Sequence, residues 1–174
     1  KYEVQDQIDS AQKLGERPYI DKNEIGIWGW SYGGFMSSNC LLKGGDVFKM
    51  AIAVAPVSSW RFYDSVYTER YMQTPQENPN GYDENSPLNF ANLLEGNFLL
   101  VHGSGDDNVH VQNTMRLTNA LIEANKPFEQ AIYPDRTHGI YRGKNTRLHL
   151  YNKMTSFIKL NLGNKQQQNS LLKT

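Results

Sequence analysis

The sequence specifies an α/β architecture, a doubly wound and mostly parallel sheet, and three features point there. Short apolar runs of strand length alternate with stretches of helical periodicity along most of the 174 residues. Two of those runs, Met50 to Ala55 and Asn97 to His102, are continuous rather than alternating, the pattern of strands covered on both faces. The third feature is a tight strand-to-helix turn, Gly29-Trp30-Ser31-Tyr32-Gly33-Gly34.

Taken in order, Val4, Ile8, Ala11 and Leu14 recur at helical spacing and predict an amphipathic helix closed by Gly15 and Pro18. Ile25 to Trp28 is a short strand, and a helix follows from about Gly34 through Leu42, ended by Gly44-Gly45. Pro56 stops the Met50 to Ala55 strand. From Val57 to Glu95 the character changes. Aromatics crowd together (Trp60, Phe62, Tyr63, Tyr67, Tyr71), and a polar, proline-bearing segment runs from Thr74 to Pro87, predicting one or two helices and then a long loop. Loops of that length in compact domains usually carry function. Alternation resumes with the Asn97 strand, a helix over Val111 to Asn125, a strand over Phe128 to Tyr133 and a last helix over Leu148 to Leu160. The glutamine-rich end reads as a frayed tail.

Composition excludes some functions. Eighteen basic and eighteen acidic residues cancel, and they are scattered, so nothing marks a nucleic-acid or anionic-membrane surface. The single cysteine, Cys40, lies in an apolar run, reads as a small buried hydrophobe and permits no intrachain disulfide. No stretch approaches the roughly 18 apolar residues of a membrane span. The chain opens on lysine rather than methionine, so the start of translation is expected upstream.

The glycines around Ser31 have a steric reading. A serine on such an elbow holds a strained backbone, and a side chain two residues before or after it would strike the neighbouring strand or helix. Ser31 at a helix N-terminus leaves the Tyr32 backbone N–H free to meet a developing oxyanion. A serine hydroxyl needs a general base, and the base needs a carboxylate to fix its tautomer. Asp106 or Asp107 follows the Asn97 strand and His138 follows the next one, giving the order serine, acid, histidine at successive strand ends. Each has a plainer alternative. The aspartates suit a turn capping the next helix, and spacing does not choose between them. His102, His110 and His149 are rival bases, at a strand end, a helix start and within a helix.

Further runs carry a resemblance. The elbow, Ala53-Val54-Ala55-Pro56-Val57-Ser58, the ten residues Tyr63 to Met72, His102-Gly103 with Asp106-Asp107-Asn108-Val109-His110, and Asp135 to Gly139 together resemble the dipeptidyl peptidase IV group of the prolyl oligopeptidase family, over nearly the whole chain to about Leu160. That resemblance implies an α/β-hydrolase fold of which this chain carries the C-terminal half. It implies Ser31 as nucleophile, Asp106 rather than Asp107 as acid, His138 as base and the Tyr32 N–H as oxyanion donor. Val57, Trp60, Tyr63, Tyr67 and Val109 would line a proline-sized pocket, and Asn108 would hydrogen-bond a substrate carbonyl. An aromatic slot suits a rigid, apolar ring.

Members of the family remove N-terminal dipeptides with penultimate proline or alanine through an acyl-enzyme, so a peptide substrate is expected, with no metal or cofactor and no nucleic acid. The resemblance also implies a homodimer formed through this domain, a β-propeller elsewhere in a longer chain, and a periplasmic or membrane-associated bacterial location. On this reading residues 1–162 are part of a catalytic domain and 163–174 a flexible polar tail. The acidic pair that grips the substrate amine, the early sheet strands and a second oxyanion donor would lie upstream, so the piece alone is expected to be inactive. The competing readings are a prolyl endopeptidase or acylaminoacyl peptidase of the same family, and a dimerisation module without activity.

Overall fold

The computed structural model describes residues 2–163. Four strands form one parallel sheet in the order β1-β2-β3-β4, with β1 at Gly26–Trp30, β2 at Met50–Val54, β3 at Asn97–Gly103 and β4 at Glu129–Tyr133. Register aligns their carboxyl ends: Trp30 pairs with Val54, Val54 with Val101 and Gly103 with Tyr133. Parallel pairing demands a crossover between strands. Helix α2 (Tyr32–Lys43) supplies the first, and α5 (Gln112–Glu123) the last. Helix α1 (Tyr2–Gly15) precedes the sheet and α6 (Thr146–Asn161) follows it.

Because side chains alternate across a strand, β2 and β3 each feed two cores. Ala51, Ala53, Phe98 and Leu100 pack with Val4, Ile8 and Ala11 of α1, Leu41 of α2, and Leu117 and Leu121 of α5. Met50, Ile52, Val54, Leu99 and Val101 face the other way, onto Leu150, Met154 and Phe157 of α6. Covered on both faces, β2 is buried along its whole length, which is why its sequence is continuously apolar. Cys40 is fully buried, and burial pushes its thiol up to about 11, leaving it protonated and inert at neutral pH.

The link between β2 and β3 is more ordered than its sequence suggests. A 3-10 turn at Trp60–Phe62 leads into α3 (Ser65–Met72), and the polar stretch read as a loop contains α4 (Pro79–Asp83) and a second 3-10 segment at Pro87–Leu93. The cause is capping. Asp64 accepts the Tyr67 N–H at 2.8 Å, and Asn78 accepts the Gly81 N–H at 3.1 Å with Pro79 at the first helical position. The expected tail lies outside the described residues except for Gly163, whose N–H donates to Glu24 at 2.7 Å.

Candidate active site

Every candidate group follows the carboxyl end of a strand. Ser31 comes directly after β1, with φ 61° and ψ −118°, a conformation L-residues adopt only when the surroundings enforce it. Two main-chain bonds enforce it here: the Ser31 N–H donates to the Val54 carbonyl at 2.9 Å, and the Ser31 carbonyl accepts the Phe35 N–H at 3.0 Å. The steric account of the glycines holds at Gly29, where a Cβ would fall 2.1 Å from the Gly33 carbonyl oxygen. It shifts by one residue on the other side. Gly33 has open space, whereas a Cβ at Gly34 would lie 2.9 Å from Pro56 Cα, so Gly34 is the residue that lets α2 approach the end of β2. Gly29→Ala therefore has to open the elbow, and kcat in the full-length protein is expected to fall at least about 10²-fold, the cost of a misplacement near 1 Å. Steady-state kinetics beside a circular-dichroism melt checks this.

Asp106 follows β3 and is buried, while Asp107 is exposed. Asp106 Oδ1 accepts the Asn108 N–H at 2.9 Å and the Val109 N–H at 3.0 Å, the turn that aims the carboxylate inward. Its Oδ2 lies 2.8 Å from His138 Nδ1. Burial alone would raise this carboxyl, but the close approach of the His102 and His138 ring nitrogens and the hydrogen bond from the Asn108 N–H outweigh it and hold Asp106 well below the usual carboxylate range. The structure thus brings Asp106 to His138. It leaves Ser31 Oγ and His138 Nε2 without hydrogen-bond partners among the described residues, an arrangement common before substrate binds.

The rival histidines have other partners, although His102 also lies 3.2 Å from Asp106 Oδ2. His102 is fully buried with both ring nitrogens bonded, His110 Nδ1 receives the Gln112 N–H at 3.3 Å, and His149 meets the Tyr133 hydroxyl at 2.9 Å. Among the described residues no His, Cys, Asp and Glu cluster is large enough to hold a metal ion.

Tyr32 opens α2, so its N–H has no intrahelical acceptor. Its ring begins an aromatic array: Tyr32 to Trp60 at 5.6 Å, Trp60 edge-on to Tyr63 at 5.7 Å and stacked on Tyr67 at 5.9 Å. Val57 and Val109 are buried beneath these rings in one cluster with Trp60 and Phe35. A cavity of about 340 Å³ opens beside the array, lined by Tyr32, Phe35, Trp60, Tyr67, Tyr71 and Glu3 among others. The Tyr63 hydroxyl, kept protonated by burial and then by the charge on Asp64, donates to Asn108 Oδ1 at 2.6 Å. That leaves the exposed Asn108 amide nitrogen as a donor.

Two supports escape the sequence reading. The Trp30 indole N–H donates to the His138 carbonyl at 2.9 Å, tying the His138 loop to the residue before Ser31. Buried Asn113 accepts the Ser58 N–H at 2.9 Å and pins the loop carrying Val57 and Trp60 to the start of α5. No local signal marks either residue: Asn113 stands between Gln112 and Thr114 in a polar first turn, and Trp30 reads as one more strand-end aromatic.

The model of the prolyl oligopeptidase family matches residues 1–165. The chain is 52% identical over 143 residues, 80% of its length, to a Coccidioides posadasii protein named "Probable dipeptidyl-aminopeptidase B", and 44% identical over 160 residues to a protein of the same name from Aspergillus oryzae. It spans 16% and 18% of those two relatives. The crystal structure of Porphyromonas gingivalis dipeptidyl peptidase 4 superposes with a TM-score of 0.90 at 56% identity, over 92% of this chain and 23% of that one.

Proposed function

The chain belongs to the prolyl oligopeptidase family, and from that premise we propose that residues 1–162 are the C-terminal part of the catalytic domain of a serine dipeptidyl peptidase. The substrate is a peptide with a free amino terminus and proline or alanine second. The observation that carries the reading is the 2.8 Å Asp106–His138 contact, at the same edge of the parallel sheet as a serine held at φ 61°.

Asp106 accepts the Nδ1 proton of His138, so Nε2 is the basic nitrogen. Ser31 Oγ attacks the carbonyl of the second residue while Nε2 takes its proton. The carbonyl oxygen becomes negative against the Tyr32 N–H at the positive end of α2. Collapse of the tetrahedral adduct expels the new amino terminus, protonated by His138, and water then releases the dipeptide by the same steps in reverse. Trp60, Tyr63 and Tyr67 form the apolar wall for the second side chain, over Val57 and Val109, and the Asn108 amide nitrogen donates to a substrate carbonyl. The amine anchor, a second oxyanion donor and the β-propeller belong to the rest of a longer protein. Homodimerisation is part of the same proposal: β4 is a sheet edge with Ile132 partly exposed, and Leu148 and Tyr151 of α6 are exposed.

Gly-Pro and Ala-Pro anilides, with and without an N-acetyl group, test the reading on the full-length protein. The expected result is hydrolysis of the free-amine substrates and a loss of roughly 10²-fold or more in kcat/KM on acetylation, the cost of leaving the amine's charged partner buried and unpaired. Equal turnover of the blocked substrates would replace this reading with the endopeptidase one.

A further inference from the structure

His102 sits at the end of β3, four residues before Asp106, and its side chain is wholly inaccessible to solvent. A buried imidazole next to a buried carboxylate demands an accounting of every ring nitrogen. His102 Nε2 is 2.8 Å from the Val109 carbonyl oxygen, and a carbonyl only accepts, so Nε2 carries a hydrogen. The same nitrogen lies 3.2 Å from Asp106 Oδ2, the oxygen that receives His138 Nδ1 at 2.8 Å. On the far side, His102 Nδ1 is 2.7 Å from the hydroxyl of Thr114, a buried residue of α5.

From this geometry we propose that His102, oriented by Thr114, is a positioning residue for the acid: the one hydrogen on its Nε2 is shared between the Val109 carbonyl, its nearer acceptor, and Asp106 Oδ2, so that His102 and His138 face the same oxygen and together fix the carboxylate plane. The proposal rests on the triad reading above and deepens it. Asp106 Oδ1 is already occupied by two backbone N–H groups, so Oδ2 alone faces the base. With a second donor on Oδ2 the carboxylate has one orientation, and its charge is divided between two imidazoles. Remove that donor and the full charge falls on His138, which then holds its proton more tightly. Asp106, His138 and, through its charge, Tyr63 are the titratable groups in this assembly; Thr114 and the Val109 carbonyl are neutral. A purely structural His102, tying β3 to α5, would alter the amount of folded enzyme without altering how the folded enzyme titrates.

The test is kcat, KM and the acidic limb of kcat/KM against pH for His102→Leu, His102→Gln and Thr114→Val in the full-length protein, with active sites counted by fluorophosphonate labelling. Per labelled site, His102→Leu is expected to lower kcat roughly 10- to 100-fold, the range seen when a partner orienting a reactive ligand is removed. KM should stay within about twofold, and the limb should move to higher pH by about half a unit or more. His102→Gln, whose amide N–H reaches toward the same acceptors, should recover most of the rate, and Thr114→Val should shift the limb in the same direction by less. A His102→Leu enzyme with wild-type kcat per site and an unmoved limb overturns the proposal. If His102→Leu does not fold, an unmoved limb in Thr114→Val overturns it. A wild-type protein that fails to label at Ser31 overturns the triad reading and this proposal with it, whereas labelling with a silent His102 overturns this proposal alone.

Discussion

Ser31→Ala in the full-length protein is expected to lower kcat on a Gly-Pro anilide by roughly 10⁶-fold, the scale found when a triad nucleophile is removed. KM should move by no more than about threefold, because the groups assigned to substrate binding, the Trp60, Tyr63 and Tyr67 rings and the Asn108 amide, do not touch Ser31 Oγ. The fold should be indifferent. Ser31 Oγ makes no hydrogen bond among the described residues, the two main-chain bonds that hold the elbow do not involve the side chain, and alanine bears the same positive φ as serine. Unchanged melting beside lost turnover separates a chemical role from a structural one. Residual kcat above about 10⁻³ of wild type would place the nucleophile elsewhere.

Asp106→Asn should cost roughly 10⁴-fold in kcat, for a reason visible in the hydrogen bonds. The amide oxygen can still accept the Asn108 and Val109 N–H groups, but the amide nitrogen then stands where Oδ2 now meets His138 and His102. Donor faces donor. His138 escapes by moving its hydrogen to Nε2, which leaves no base toward Ser31. Stability carries a second signature. A carboxyl held below its unfolded pKa, about 3.9, stabilises the fold above that value and loses the contribution as pH falls through the folded one. Asp106 is such a group. Wild type should therefore exceed Asp106→Asn in denaturant midpoint at pH 7, and the gap should narrow at pH 3 and below. A gap that is constant or widens with acid would show that the carboxylate is not charged and paired in the native state.

How much of this was legible beforehand follows from which forces act locally. The central strands were, because burial on both faces leaves runs such as Met50–Val54 with no polar residue to accommodate. Ser31 was, because its backbone conformation excludes a side chain at Gly29. The choice between Asp106 and Asp107 was not: it depends on a turn in which two N–H groups that follow in sequence fold back onto one carboxylate oxygen, and spacing records only that both aspartates belong to a loop. Gly34 was credited too little and Gly33 too much, since the contact that matters is with Pro56, distant in the chain. Helix α4 was hidden in a polar stretch because its start depends on the Asn78 side chain rather than on apolar periodicity. Strand order and the Trp30–His138 and Ser58–Asn113 bonds belong to the tertiary level, where no local pattern announces them.

The central claim is that the strand ends assemble a nucleophile, a base and an acid from Ser31, His138 and Asp106. Fluorophosphonate labelling of the full-length protein, with the adduct mapped by peptide mass spectrometry in wild type and Asp106→Asn, tests it most directly. The account predicts one adduct, on the peptide bearing Ser31, formed at a rate that falls with kcat in Asp106→Asn. An unlabelled Ser31 in protein that hydrolyses Gly-Pro anilide, or labelling as fast in Asp106→Asn as in wild type, would contradict it.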